Sequence, residues 1–153
     1  MTIDRASHSP LLQSIMERHG YPIVTADQLD EACAKLPLSM LFLSGDYWRL
    51  AESNDVAIVL PELAAALEGH VPPLVAARGE DERAFQRRFR FGSFPALVFL
   101  RYGEYLGAIE GIRDWADYLR EIPEILSREP VAPPPFRLPA GCGGETANTG
   151  ASA

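Results

Sequence analysis

The stretch Arg90–Gly111, R-F-G-S-F-P-A-L-V-F-L-R-Y-G-E-Y-L-G-A-I-E-G, decides the fold. Pro95 opens an apolar run from Ala96 to Leu100, Tyr102-Gly103 offers a tight turn, and Glu104 to Glu110 alternates before Gly111 closes the segment. That pattern predicts two antiparallel strands joined by a short turn. Proline lacks a ladder donor, and the entrance of a strand is one of the few places where a sheet tolerates it. A fixed cis X-Pro bend is the second way to use a proline there.

Working outward, helical spacing of Leu11, Leu12, Ile15 and Met16 ahead of Gly20 predicts a first helix. Tyr21 to Val24 reads as extended, and Thr25 with Gln28 has capping-box spacing before a helix through about Leu36. On that helix Cys33 shares the apolar face of Leu29, Ala32 and Leu36. The nearly unbroken apolar run Leu38–Leu43 reads as a central strand covered on both faces. After a polar loop, a helix is expected from about Val56 to Glu68 with Pro61 inside it, then a strand at Leu74–Ala77. Glu80–Phe89 runs from acidic to basic, the order that suits a helix macrodipole. The last helix, Asp114–Leu126, is expected to turn Trp115, Tyr118, Leu119, Ile122 and Ile125 inward. Strands and helices in this order imply a mixed central sheet flanked by helices, a three-layer α/β sandwich. The expected organisation is a flexible N-terminus over 1–10, one domain over 11–128 and a disordered Pro/Gly-rich tail over 129–153.

The composition narrows function mainly by exclusion. With 153 residues, 47% hydrophobic, the chain can bury one sizeable core. It has no apolar run of about eighteen residues, so membrane insertion is not expected. A net charge of −7 argues against nucleic acid and anionic membranes and permits a basic partner. Cys33 and Cys142 are too far apart in sequence to suggest a disulfide framework, and with no secretory signal pattern the expected location is cytoplasmic. His8, His19 and His70 have no second ligand at metal spacing, so neither metal nor cofactor is expected. Walker and dinucleotide glycine motifs are absent from the sequence.

Three segments together resemble the thioredoxin fold over roughly 21–128. They are Met40–Leu43 leading to a helix with an interior proline, Ile58-Val-Leu-Pro-Glu-Leu-Ala64; Phe91-Gly-Ser-Phe-Pro-Ala-Leu-Val-Phe-Leu100; and the hairpin with its terminal helix. The resemblance implies a thioredoxin-like sandwich in which Pro95 is cis. Counting back from Pro61, the redox Cys-x-x-Cys would fall on Ser53-Asn54-Asp55-Val56, where there is no sulfur. Dithiol–disulfide exchange is thereby excluded at that position.

Among thioredoxin-like proteins without the Cys-x-x-Cys pair, this one is similar to the HyaE/HupG family of nickel–iron hydrogenase expression proteins. The residues that carry the similarity are Leu-Phe-Leu-Ser-Gly-Asp46, Asp55-Val-Ala-Ile-Val-Leu-Pro-Glu-Leu63 and Arg90-Phe-Gly-Ser-Phe-Pro-Ala-Leu97. The resemblance implies a non-catalytic cytoplasmic accessory protein. Its expected partners are the hydrogenase small-subunit precursor with its basic twin-arginine signal peptide, and other hydrogenase accessory proteins. The expected contact surface is Asp46, Tyr47, Trp48, Glu52, Asp55, Glu62, Phe94 and Pro95: carboxylates for arginines, aromatics for an apolar stretch. A solvated rim and buried core aromatics are the alternative for those same residues. Two other functions are set against the chaperone: a monothiol oxidoreductase using Cys33, and a structural subunit of a larger complex.

Overall fold

The computed structural model describes residues 7–135. Its chain order is α1 (Pro10–His19), β1 (Ile23–Val24), α2 (Leu29–Cys33), β2 (Ser39–Leu43), α3 (Ala51–Ala66), β3 (Pro73–Ala76), α4 (Glu80–Phe89), β4 (Ala96–Arg101), β5 (Glu104–Glu110) and α5 (Trp115–Leu126). The strands form one sheet in the order β1-β3-β2-β4-β5. β1, β3 and β2 run parallel; β4 pairs antiparallel with β2, Leu41 opposite Val98, and β5 antiparallel with β4. The hairpin turns on Tyr102 and Gly103, at φ 49° and 82°. Positive φ at both central residues is the twist a two-residue β-hairpin needs. The Phe94–Pro95 bond is cis.

Period-2 alternation sorts the strands into two cores. One face of the sheet, with Met40, Phe42, Val75, Leu97 and Phe99, packs on α1, α3 and α5. The other, with Leu41, Leu43, Ala76, Val98 and Leu100, packs on α2 and α4. A strand buried on both faces must be apolar throughout, which is why Met40–Leu43 carries no polar residue. This is the three-layer sandwich with a mixed sheet that the sequence pattern implies.

Several local expectations differ from the structure. α3 begins at Ala51, five residues before the expected start, after backbone turns from Arg49 and Leu50 N–H to the Asp46 carbonyl. No side chain caps it, so the usual signal of a helix start was missing. Glu52 and Asp55 are therefore helical rather than on a loop. α2 stops at Cys33; Gln28 reaches back to the Thr25 N–H as in a capping box, but the helix starts only after Gln28. On α5 Tyr118, Ile122 and Ile125 are buried, whereas Trp115 and Leu119 are 41% and 49% exposed. Two apolar stripes compete on this helix, and the 118/122/125 stripe faces the sheet.

Where a flexible lead-in was expected, His8 and Ser9 are buried: the His8 Nε2 meets the Ala76 carbonyl at 2.8 Å, and Ser9 caps α1 through the Leu12 N–H. Past α5, the Val131 N–H donates to the Tyr105 carbonyl on the outer edge of β5. The rest of the lead-in and of the expected tail, with Cys142, lies outside the described residues.

Candidate functional site

The carboxyl ends of β2 and β3 and the amino end of β4 lie together, the place where open α/β sheets commonly bind ligands. From them spring the Ser44–Leu50 segment into α3, Ala77–Gly79 into α4, and the Phe91–Pro95 loop.

A buried ion network ties these pieces together. Arg78, at 5% side-chain exposure, donates from one guanidinium nitrogen to the Glu82 carboxylate and from another to Asp46 Oδ1 at 2.9 Å. Its Nε donates to the Ser7 carbonyl at 3.3 Å, and its guanidinium lies 5.5 Å from the centre of the Trp48 ring. The other Glu82 oxygen accepts the Gly45 N–H at 3.1 Å. Burial pushes the Glu82 carboxyl above the usual carboxylate range, while Arg78 and the Gly45 N–H pull it back. Gly45 has φ 72°, and a Cβ there would sit 2.5 Å from the Phe94 Cβ. Only glycine permits this approach.

Phe94, Leu50 and Arg49 form a wall with a cleft on each side. The larger, about 560 Å³, lies between Asp46, Trp48, Arg78 and Glu82 and the α4 residues Arg83, Gln86 and Arg87. The smaller, about 400 Å³, is lined by Ala51, Glu52, Ser93, Pro95, Glu110 and Gly111. Glu52 Oε1 accepts the Ile112 N–H at 3.1 Å. The Glu110 oxygens accept the Gly92 N–H at 2.7 Å and the Ser93 hydroxyl at 3.0 Å. An ionised carboxylate offers about four acceptor positions, so both groups keep capacity for an incoming guanidinium.

The expected site residues divide accordingly. Asp46 is paired with Arg78 and, at 3.3 Å, with Arg49. Trp48 lines the larger cleft, and Tyr47 packs edge-on against it. Phe94 is half-buried in the shared wall, while Glu52 and the buried Pro95 line the smaller cleft. Asp55 is exposed on α3 and lines neither. Glu62 is ten residues beyond Glu52, about 15 Å along the helix at 1.5 Å per residue. The structure thus does not gather all four carboxylates.

Arg49, Arg78, Glu82 and Glu110 are not among the site residues that the sequence suggests. Glu82 belongs to a run that reads as an ordinary helix start. The one available signal was Arg78 and Glu82 at i,i+4 spacing across Gly79.

The position expected for a redox pair is closed. Ser53 and Val56 are buried, and Ser53 donates its hydroxyl to the Ser44 carbonyl. Cys33 is fully buried with its sulfur 3.7 Å from the Ser39 hydroxyl, and burial pushes its thiol up, away from thiolate. A nucleophilic thiol needs the opposite environment. Among the described residues there is no group of three or more His, Cys, Asp or Glu that could hold a metal ion.

Comparison with known proteins bears on this geometry. Residues 11–118 match the family model described as hydrogenase-1 expression protein HyaE. The chain is 43% identical over 120 residues to the hydrogenase expression/formation protein HoxO of Azotobacter vinelandii, covering 78% of this chain and 80% of that protein. It is 37% identical over 131 residues to HoxO of Cupriavidus necator, covering 85% and 81%. Thioredoxin f2 of Chlamydomonas reinhardtii superposes with a TM-score of 0.55 at 11% identity, over 67% of this chain and 93% of that one. That last likeness shows the fold alone.

Proposed function

The chain belongs to the HyaE family of hydrogenase expression proteins, and from that premise we propose that it is a non-catalytic accessory protein of hydrogenase maturation that holds a precursor by its basic signal peptide. The observation that carries this reading is the smaller cleft. It sets two carboxylates, Glu52 and Glu110, beside the apolar surface of Leu50, Phe94 and Pro95. A twin-arginine signal peptide presents the complement: two guanidinium groups followed by an apolar stretch. Charge-assisted hydrogen bonds to carboxylates would take the first, and burial against Phe94 and Leu50 the second.

Asp46 leaves this picture as a direct contact, because Arg78 and Arg49 already use it, and Glu110 enters. The absence of sulfur from the start of α3 supports holding without exchange. Among the described residues no helix is long and apolar enough to cross a membrane. A protein that meets a signal peptide before export works in the cytoplasm, on the small-subunit precursor.

The test is titration of the full chain with a fluorescein-labelled small-subunit signal peptide. Binding should weaken as salt rises, and about tenfold or more, 1.4 kcal/mol, when both peptide arginines become glutamine. Glu52→Gln with Glu110→Gln should weaken it comparably. Affinity indifferent to salt, to the arginines and to both carboxylates would sink the reading.

A further inference from the structure

We propose that the larger cleft is a second docking site, a receptor for an acidic segment of a partner polypeptide, with Arg49, Arg83 and Arg87 as its cationic contacts. The chain carries a net charge of −7, yet four arginines line this cleft against two carboxylates, Asp46 and Glu82. Both carboxylates are committed to the buried Arg78. The other three arginines stand at the mouth with side-chain exposures of 62–69%.

Their present partners hold them loosely. Arg83 and Arg87 share Glu80, itself 76% exposed, at 3.9 and 3.3 Å, and Arg49 reaches Asp46 at 3.3 Å. Exposed pairs of this kind contribute little and exchange readily for a better-placed carboxylate. Arg83 and Arg87 are one helical turn apart on α4, so their heads present two neighbouring cationic positions.

Charge and size select the occupant. Counting Glu80, the cleft sets four cations against three anions, a local excess that one or two carboxylates satisfy and a polyanion overfills. Nucleic acid would also meet the repulsion of the remaining acidic surface. About 560 Å³ admits a few side chains, and Trp48, Leu50 and Phe94 give them an apolar floor. A peptide with glutamates or aspartates flanking an apolar residue fits both features.

This site shares the wall residues Arg49, Leu50 and Phe94 with the signal-peptide cleft, but Arg83 and Arg87 lie on α4 and line the larger cleft alone, so the two sites can be weakened separately. The probe is an acetylated, amidated hexapeptide, Glu-Leu-Glu-Glu-Phe-Glu, with its all-glutamine counterpart and inorganic phosphate as controls. The readout is Trp48 emission in a Trp115→Phe background, which leaves Trp48 as the single tryptophan. The acidic peptide should bind, the glutamine peptide about tenfold more weakly, and phosphate should compete poorly. Arg83→Gln with Arg87→Gln should weaken the acidic peptide about tenfold and leave signal-peptide binding unchanged. Glu52→Gln with Glu110→Gln should show the reverse pattern. The proposal is overturned by any of four results: no binding, equal binding of the glutamine peptide, competition by phosphate at matching concentration, or indifference to the arginine substitutions at an unchanged unfolding midpoint.

Discussion

The two clefts flanking Phe94 share one wall, Arg49, Leu50 and Phe94, and differ in where their charge resides. Around Arg78 the ions face one another: Glu82 and Asp46 spend their oxygens on a guanidinium that solvent barely touches. Beside Pro95 the carboxylates of Glu52 and Glu110 accept backbone and hydroxyl hydrogens at the rim, with acceptor positions to spare. The first arrangement joins α3, α4 and the lead-in to α1, and so makes the wall. The second leaves charge for a ligand. An acidic residue near a site is therefore informative only once its partners are known, and Asp46 is the residue that shows it.

The strongest way to break the comparison is to remove Arg78. Arg78→Leu strands Glu82 and should cost about 3–5 kcal/mol, measured by urea unfolding at pH 8. Arg78→Leu with Glu82→Leu should recover most of that, because no charge is left buried. Sign and pH follow from Glu82, whose carboxyl burial already raises. Without Arg78 it rises further, so the penalty of the single variant is full at high pH and shrinks as pH falls through the folded value towards the ordinary carboxylate range. A penalty equal at pH 8 and pH 5 would contradict a buried, ionised Glu82.

Gly45→Ala comes next. It forces a side chain into left-handed backbone, at about 1–2 kcal/mol, and against Phe94, where overpacking adds about 1–3 kcal/mol. The expected loss is about 3 kcal/mol in denaturant unfolding, with both clefts weakened together because Phe94 is their common wall. Loss of binding in one cleft alone would show that the wall is not shared.

Much of this scaffold was legible because it is written in period and punctuation. The alternation in Glu104–Glu110, the Tyr102-Gly103 turn and the apolar Met40–Leu43 each have one good reading, and the sheet followed. The start of α3 had none: it lacks a side-chain cap and its first turn is polar, with Ser53 turned inward to satisfy the Ser44 carbonyl. Trp115 and Leu119 failed for a different reason, since a helix with two apolar stripes does not say which one the sheet will take. The site was half legible. Of the residues expected at the contact surface, Glu52, Phe94 and Pro95 line one cleft, whereas the ion network has only the i,i+4 spacing of Arg78 and Glu82 as a local signal, and nothing local announces that Asp46, 32 residues away, joins it.

The smallest effect should come from His8, which touches only the Arg78 side of the molecule. Its ring is buried against the Ala76 carbonyl, and desolvation, opposed by that hydrogen bond and reinforced by the Arg78 charge, lowers its pKa from the ordinary 6.5. Above that value the ring is neutral in folded and unfolded chains alike, so it adds no pH dependence. Below it the unfolded chain takes up a proton that the folded chain refuses, and stability falls until the folded value is reached. His8→Phe should lose about 1 kcal/mol at pH 8 with the hydrogen bond, and should flatten the decline between pH 7 and pH 5. The measurement is a pair of urea titrations at each pH. A wild-type slope retained in the variant would place the titrating group elsewhere. Signal-peptide binding should be unchanged at pH 8, where only the lead-in beside Arg78 is disturbed and the carboxylates beside Pro95 keep their contacts.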